Sequence, residues 1–138
     1  MKSLKIKTAT LTFIVSVFVV SATLVAFTFP NKPWAVPEKF EKMKNPVKSD
    51  AGSIADGKTL YGTHCASCHG KKGKGDGSKA AQLETECGDF TTPAFQKETD
   101  GAIFYKMTEG RKDMPTFAKK IADESERWAV INYLRTLK

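Results

Sequence analysis

Two cysteines separated by two residues, with a histidine directly after the second, make Cys65-Ala66-Ser67-Cys68-His69 the most chemically loaded stretch of this sequence. Thiols at i and i+3 share one face of a helical turn, so both sulfurs can bond to one flat edge of a single group. The imidazole that follows carries a ring nitrogen suited to a metal. This is the spacing of c-type haem attachment, with Cys65 and Cys68 forming two thioethers and His69 serving as one axial ligand of the iron. A thioredoxin-like redox pair would need a βαβ setting, and no strand-rich pattern surrounds this one. A zinc site would need four ligands, but Cys68 and His69 are adjacent and no second pair follows elsewhere. One covalently bound haem c is the expected cofactor.

A six-coordinate iron needs a second donor, and few residues qualify. His64 precedes Cys65 directly and cannot reach the opposite face of the ring. Met1 and Met43 lie far upstream, and Met107 has the helical spacing of a core residue beside Ile103 and Phe104. Met114 follows Gly110 and precedes Pro115 in a loop, and proline fixes the backbone there, which suits holding a thioether at an iron. A His69/Met114 pair favours reduced iron and leaves no open position for a substrate. The expected work is electron transfer without bond chemistry, so no catalytic residue is assigned.

The elements that position these residues follow in chain order. Residues 1–7 are basic, and the next 22 residues, 8–29, carry no charge. As a helix that run spans about 33 Å, the thickness of a bilayer core. It is read as a transmembrane anchor or a signal segment. Its length exceeds a typical signal core and its end offers only the poor cleavage sequence Ala26-Phe27-Thr28, which favours the anchor. Positive residues ahead of it place 1–7 in the cytoplasm and the rest on the outer, periplasmic side. Residues 30–50 form a Pro-rich linker, with Pro30, Pro33, Pro37 and Pro46 blocking any long helix. It reads as a tether that lets the following domain, 51–138, swing between partners. Trp34 and Phe40 within it read as anchors at the membrane interface rather than as packing onto that domain.

From Ser53, a candidate cap, a helix is expected to run through the haem cysteines until Gly70, Gly73, Gly75 and Gly77 break it. That Gly/Lys loop lacks the pattern of a phosphate loop. A short helix over 78–84, a loop over 87–96, a helix capped by Thr99 or Asp100 and ended by Gly110, and a last helix from Asp123 complete the reading. Trp128, Val130, Ile131, Tyr133, Leu134 and Leu137 give the last helix a broad apolar face.

The net charge is +7, from 22 Lys+Arg against 15 Asp+Glu. Three of those lysines (Lys2, Lys5, Lys7) precede the apolar run and leave +4 for the remainder. That balance, without an interleaved basic and aromatic stripe, excludes a nucleic-acid partner as the working hypothesis. Of three cysteines, Cys87 is left alone, so no disulfide framework exists within one chain, and a small buried apolar side chain is its expected role.

These motifs together resemble class I cytochrome c in its small bacterial monohaem form, over roughly residues 51–138. The resemblance rests on Cys65-Ala66-Ser67-Cys68-His69-Gly70, on Gly73 and Gly75-Asp76-Gly77, and on Gly110 with Met114-Pro115-Thr116-Phe117. It rests further on Gly57 and Tyr61, which in the family pack the first helix of the domain across the last, here at Val130 and Tyr133. Ser78 stands where many relatives have proline, which leaves the hydrogen-bond partner of His69 to another carbonyl. The resemblance implies an all-α fold of three to five helices wrapped around one covalently bound haem, here preceded by one N-terminal transmembrane helix. It implies an electron carrier working at an exposed haem edge, with redox proteins as partners and no small-molecule substrate. Lys71, Lys72, Lys74, Lys79, Lys112, Lys119 and Lys120 are placed to steer acidic partners. Two other classes stay open: a haem subunit fixed in a larger oxidase or dehydrogenase complex, and a gas sensor or peroxidase in which Met114 is labile.

Overall fold

The computed structural model describes residues 33–138. The described helices are α1 (Glu38–Glu41), α2 (Ala51–His64), α3 (Ala66–His69), α4 (Pro93–Gln96), α5 (Asp100–Glu109) and α6 (Glu124–Leu134), with a 3-10 turn at Ala80–Gln82 between α3 and α4. Strand-type pairing among the described residues is limited to an isolated bridge between Arg111 and Met114. Trp34–Lys138 forms one compact unit.

Each longer helix starts on a side-chain cap that satisfies backbone N–H groups with no partner inside the helix. Asp50 caps α2: its carboxylate accepts from Ser53 N–H at 3.0 Å, and the Ser53 hydroxyl accepts from Asp50 N–H at 3.2 Å. That reciprocal pair makes Asp50 the cap and Ser53 its partner three residues on, not the cap expected from the sequence. Thr99 caps α5 by accepting from Ala102 N–H at 3.1 Å. Asp123 caps α6 as expected, but its carboxylate takes both the N–H and the hydroxyl of Ser125, each at 2.8 Å, and no box with Glu126 forms.

The core is built where α2 crosses α6. A Cβ at Gly57 would run into the Ala129 carbonyl and the Val130 amide, so only glycine lets the two backbones meet there. One turn on, Tyr61 and Tyr133 pack with ring centroids 5.2 Å apart. Against the other side of α6, Phe104 of α5 stacks on Trp128 at 4.1 Å. From Arg127 to Leu134 every residue of α6 is buried. The C-terminal end of α6 is closed from outside: Gln96 Nε2 donates to the Leu134 and Leu137 carbonyls, and Arg135 donates through Nε and a terminal nitrogen to Asp100 Oδ1 at 2.8 and 2.7 Å.

Three stretches differ from the sequence expectation. The helix through the haem cysteines is interrupted at Cys65, which has φ −117° and ψ −36° and separates α2 from α3. The expected helix over 78–84 shrinks to the Ala80–Gln82 turn, and the expected loop over 87–96 contains α4, with Thr92 as its cap and Pro93 in the first turn. Most consequential is the stretch read as a free linker. From Trp34 on it lies on the domain: Phe40 packs on Tyr105 at 4.7 Å, Thr99 donates to the Glu41 carboxylate at 3.1 Å, and Asn45 donates to Asn132 Oδ1 at 2.9 Å. Buried Asn132 in turn donates to the Val47 and Lys48 carbonyls. A proline-rich chain cannot satisfy its own carbonyls in a helix, and here side chains of the domain satisfy them instead. The expected transmembrane or signal segment, 8–29, lies outside the described residues, and among the described residues no helix is long and apolar enough to cross a membrane.

Two glycines of α2 give opposite expectations. Gly57→Ala forces a methyl into the α6 backbone and should destabilise the protein by about 1–3 kcal/mol. Gly62→Ala, where nothing lies within 4 Å, should stabilise the helix by about 0.5–1 kcal/mol. Urea midpoints moving in the same direction for both would refute the crossing as described.

Candidate haem-binding site

The cysteine–histidine stretch is shaped by the break at Cys65. Cys65 N–H still closes α2 on the Tyr61 carbonyl at 2.9 Å, while its own carbonyl starts the next turn by accepting from Cys68 and His69 N–H at 3.1 and 2.9 Å. Cys65 is buried in the core cluster and Cys68 is half-buried, and neither is oxidised. Before haem is attached, burial, helped by the nearby Cys68, pushes the Cys65 thiol up to about 12.

The glycine-rich loop after His69 folds back on this turn. Gly75 and Gly77 N–H donate to the His69 and Cys68 carbonyls at 2.9 and 3.1 Å, and Lys79 N–H to the Ser67 carbonyl at 2.8 Å. The buried Tyr61 hydroxyl donates to the Gly70 carbonyl at 2.6 Å, tying the loop to the helix crossing. Phe90 N–H donates to the Gly73 carbonyl at 2.7 Å, and this places the Phe90 ring against His69, stacked at 4.5 Å. Phe95 supports Phe90 at the same distance.

His69 Nδ1 is enclosed and has no hydrogen-bond partner of good geometry. Burial holds the imidazole below its ordinary value, with the Cys87 backbone acting the other way. The neutral ring is the form that binds a metal. The backbone near His69 is thus that of Cys87, and Ser78 plays no such part.

A second built turn follows α5. Gly110 ends α5 with φ 71°, and a Cβ there would meet the Met114 carbonyl, Pro115 and Thr116. Arg111 and Met114 exchange two backbone hydrogen bonds at 2.8 and 3.0 Å, which closes 111–114 into a tight turn. Thr85 binds the Asp113 carboxylate through its hydroxyl at 2.6 Å and its N–H at 2.9 Å, and these bonds hold that carboxyl below its usual range. Past Pro115, Phe117 N–H donates to the Met107 carbonyl at 3.2 Å. Met114 is partly buried against the core cluster.

The other donors weighed from the sequence are placed elsewhere. Met107 is buried in the core, Met43 packs on it from the N-terminal stretch, and His64 faces the edge of Phe117 at 6.3 Å. Among the described residues no group of three or more His, Cys, Asp or Glu is arranged for a bare metal ion. Two free thiols on one turn, an enclosed imidazole and a thioether on a closed turn are instead the donor set that suits a c-type haem. The Phe90 platform was not legible in the sequence, where Phe90 is one apolar residue after a Gly88-Asp89 turn. Cys87 is partly buried, and its thiol is held above its ordinary value first by burial.

In the matured protein, denatured and titrated with a disulfide reagent, we expect one reactive thiol of the three cysteines. It should vanish in Cys87→Ser. A count of two or three would mean that Cys65 and Cys68 are not both in thioether bonds.

Known proteins resemble this chain over the region that holds these residues. The family model for cytochrome c matches residues 54–138. Cytochrome c-554(547) of Halothiobacillus neapolitanus is 40% identical over 79 residues, which cover 56% of this chain and 86% of that protein. Among solved structures, a chain of the Kuenenia stuttgartiensis reducing HAO-like protein complex superposes with a TM-score of 0.61 at 31% identity, over 67% of this chain. This chain spans about half of that one, 46% of its length. The chain belongs to the cytochrome c family, which binds haem c covalently, and Cys65 and Cys68 are consistent with its attachment motif.

Proposed function

We propose that this chain is a one-electron carrier whose iron is held by His69 and Met114. The observation that carries this reading is the pair of closed backbone turns, one presenting an enclosed imidazole and the other a partly buried thioether. Bound haem supplies the reversible one-electron couple of its iron. The chain's own residues keep that couple simple. Burial keeps His69 neutral, Phe90 fixes its ring plane, and the Arg111–Met114 turn holds the thioether in place. His69 and Met114 together would hold the iron and would leave no position on it for a substrate.

The charge distribution supports docking to acidic redox proteins. Lys71, Lys72, Lys74 and Lys79 on the His69 loop and Lys112, Lys119 and Lys120 beyond the Met114 turn are all exposed. Cations on both flanking loops would speed encounter with an acidic partner, an effect that salt screens. The apolar run 8–29 behind basic residues supports export, with the domain tethered on the outer side of the cytoplasmic membrane. A second reading, a haem subunit held in a larger assembly, is favoured by the likeness to a chain of a multi-protein complex. Copurification from detergent extracts separates the two.

The reduced wild-type protein should not bind carbon monoxide, and Met114→Ala should bind it readily, read from the visible spectrum. Carbon monoxide binding by the wild type would mean an open iron, and the carrier reading would be abandoned. Electron transfer to an acidic partner should slow several-fold as ionic strength rises from about 10 to 150 mM, across which the screening length falls from about 30 to 8 Å.

A further inference from the structure

The N-terminal stretch touches α5 in reverse order along its length. Met43 backs onto Gly101, where a Cβ would strike the Phe40 carbonyl and the Met43 backbone and side chain. Phe40 packs on Tyr105, and Trp34 lies against Arg111, whose guanidinium carbon is 5.4 Å from the ring centroid. The stretch is therefore a brace laid antiparallel on α5. Its later part is fixed to α6 by the Asn45–Asn132 hydrogen bond. Its leading residue reaches the one place where α5 gives way to the methionine turn.

Arg111 is not a neutral landing point. Its N–H and carbonyl make both backbone hydrogen bonds that close the turn on Met114. The residue after it, Lys112, sits at φ 52°, a left-handed conformation that non-glycine residues adopt at a cost. A turn of this kind persists only when its surroundings hold it. The Thr85–Asp113 pair holds it from one side. A large aromatic face on the Arg111 guanidinium holds it from the other.

We propose that Trp34 is a positioning residue for the axial methionine: by packing on Arg111 it keeps the 111–114 turn closed and Met114 presented to the iron. This rests on the reading of Met114 as a ligand. Trp34 acts through Arg111, and a merely structural role would change unfolding without changing how well Met114 competes for the iron.

The test is imidazole competition on the oxidised full-length holoprotein, followed by loss of the methionine-to-iron charge-transfer band, with urea midpoints recorded alongside. A cation over an aromatic face at a half-exposed site corresponds to about a two- to fivefold change in such an equilibrium. Trp34→Ala should therefore tighten apparent imidazole binding by about two- to fivefold. Trp34→Phe should fall between it and the wild type, and keeps the test informative if the alanine variant folds poorly. In an Arg111→Gln background, Trp34→Ala should add nothing further. Wild-type imidazole affinity in both Trp34 variants, or an undiminished Trp34→Ala effect in the Arg111→Gln background, would overturn the proposal. A Met114→Ala protein with the imidazole affinity of the wild type, and no charge-transfer band in either, would overturn the ligand assignment and the proposal together.

Discussion

The approach of α2 to α6 at Gly57 is the constraint on which the other placements depend. With the α2 backbone against the Ala129 carbonyl, Tyr61 is set one turn further along, between Tyr133 and the Gly70 carbonyl. Burial keeps the Tyr61 phenol far above its ordinary value, so it remains a hydrogen-bond donor at any physiological pH. That donor fixes the start of the glycine-rich loop, and the loop in turn caps the cysteine–histidine turn. A shift of α2 along α6 by the width of one methyl group would propagate to both thiols and to His69, because close-packed interiors transmit such changes.

The two halves of the proposed haem site are held in different ways. The cysteine–histidine half is an extension of the core: Cys65 belongs to it, and the following turn is closed by backbone bonds from its own loop. The methionine half hangs from the end of α5 and is closed by contacts of long sequence separation, Thr85 to Asp113 and Trp34 to Arg111. The first half therefore depends on the core itself, while the second depends on its own Arg111–Met114 bonds and on those distant contacts. An electron carrier benefits from that asymmetry, since the covalently held side stays in place whatever the other side does.

The turns that carry the candidate site residues were more legible in the sequence than the fold around them. Cysteine spacing, Gly110 and Pro115 are local signals, and local chemistry fixes what they do. The Gly57–Tyr61 pair pointed to the helix crossing only through the resemblance to class I cytochrome c, and both residues do meet α6. What failed were boundaries and distant contacts. Ser53 looked like a cap, but the reciprocal bond with Asp50 outcompetes it one turn earlier. The Phe90 platform depends on its N–H finding the Gly73 carbonyl, a partner that no local pattern announces.

The proline-rich stretch is the clearest case of a local signal that was read correctly and extended too far. Proline density does exclude a long helix, and α1 is only four residues long. It does not exclude packing. Beyond its one short helix the segment leaves carbonyls available to others, and Asn132, buried in α6, takes two of them while accepting from Asn45. Each bond satisfies a polar group that would otherwise be buried without a partner, so the brace and α6 stabilise each other. Trp34, Phe40, Met43 and Val47 recur along the segment as its apolar contacts, too irregularly for a helix or strand period to reveal them. Such a segment is recognised only by the surface that receives it. Here that surface is α5 and α6, the same helices that end at the methionine turn and carry the core.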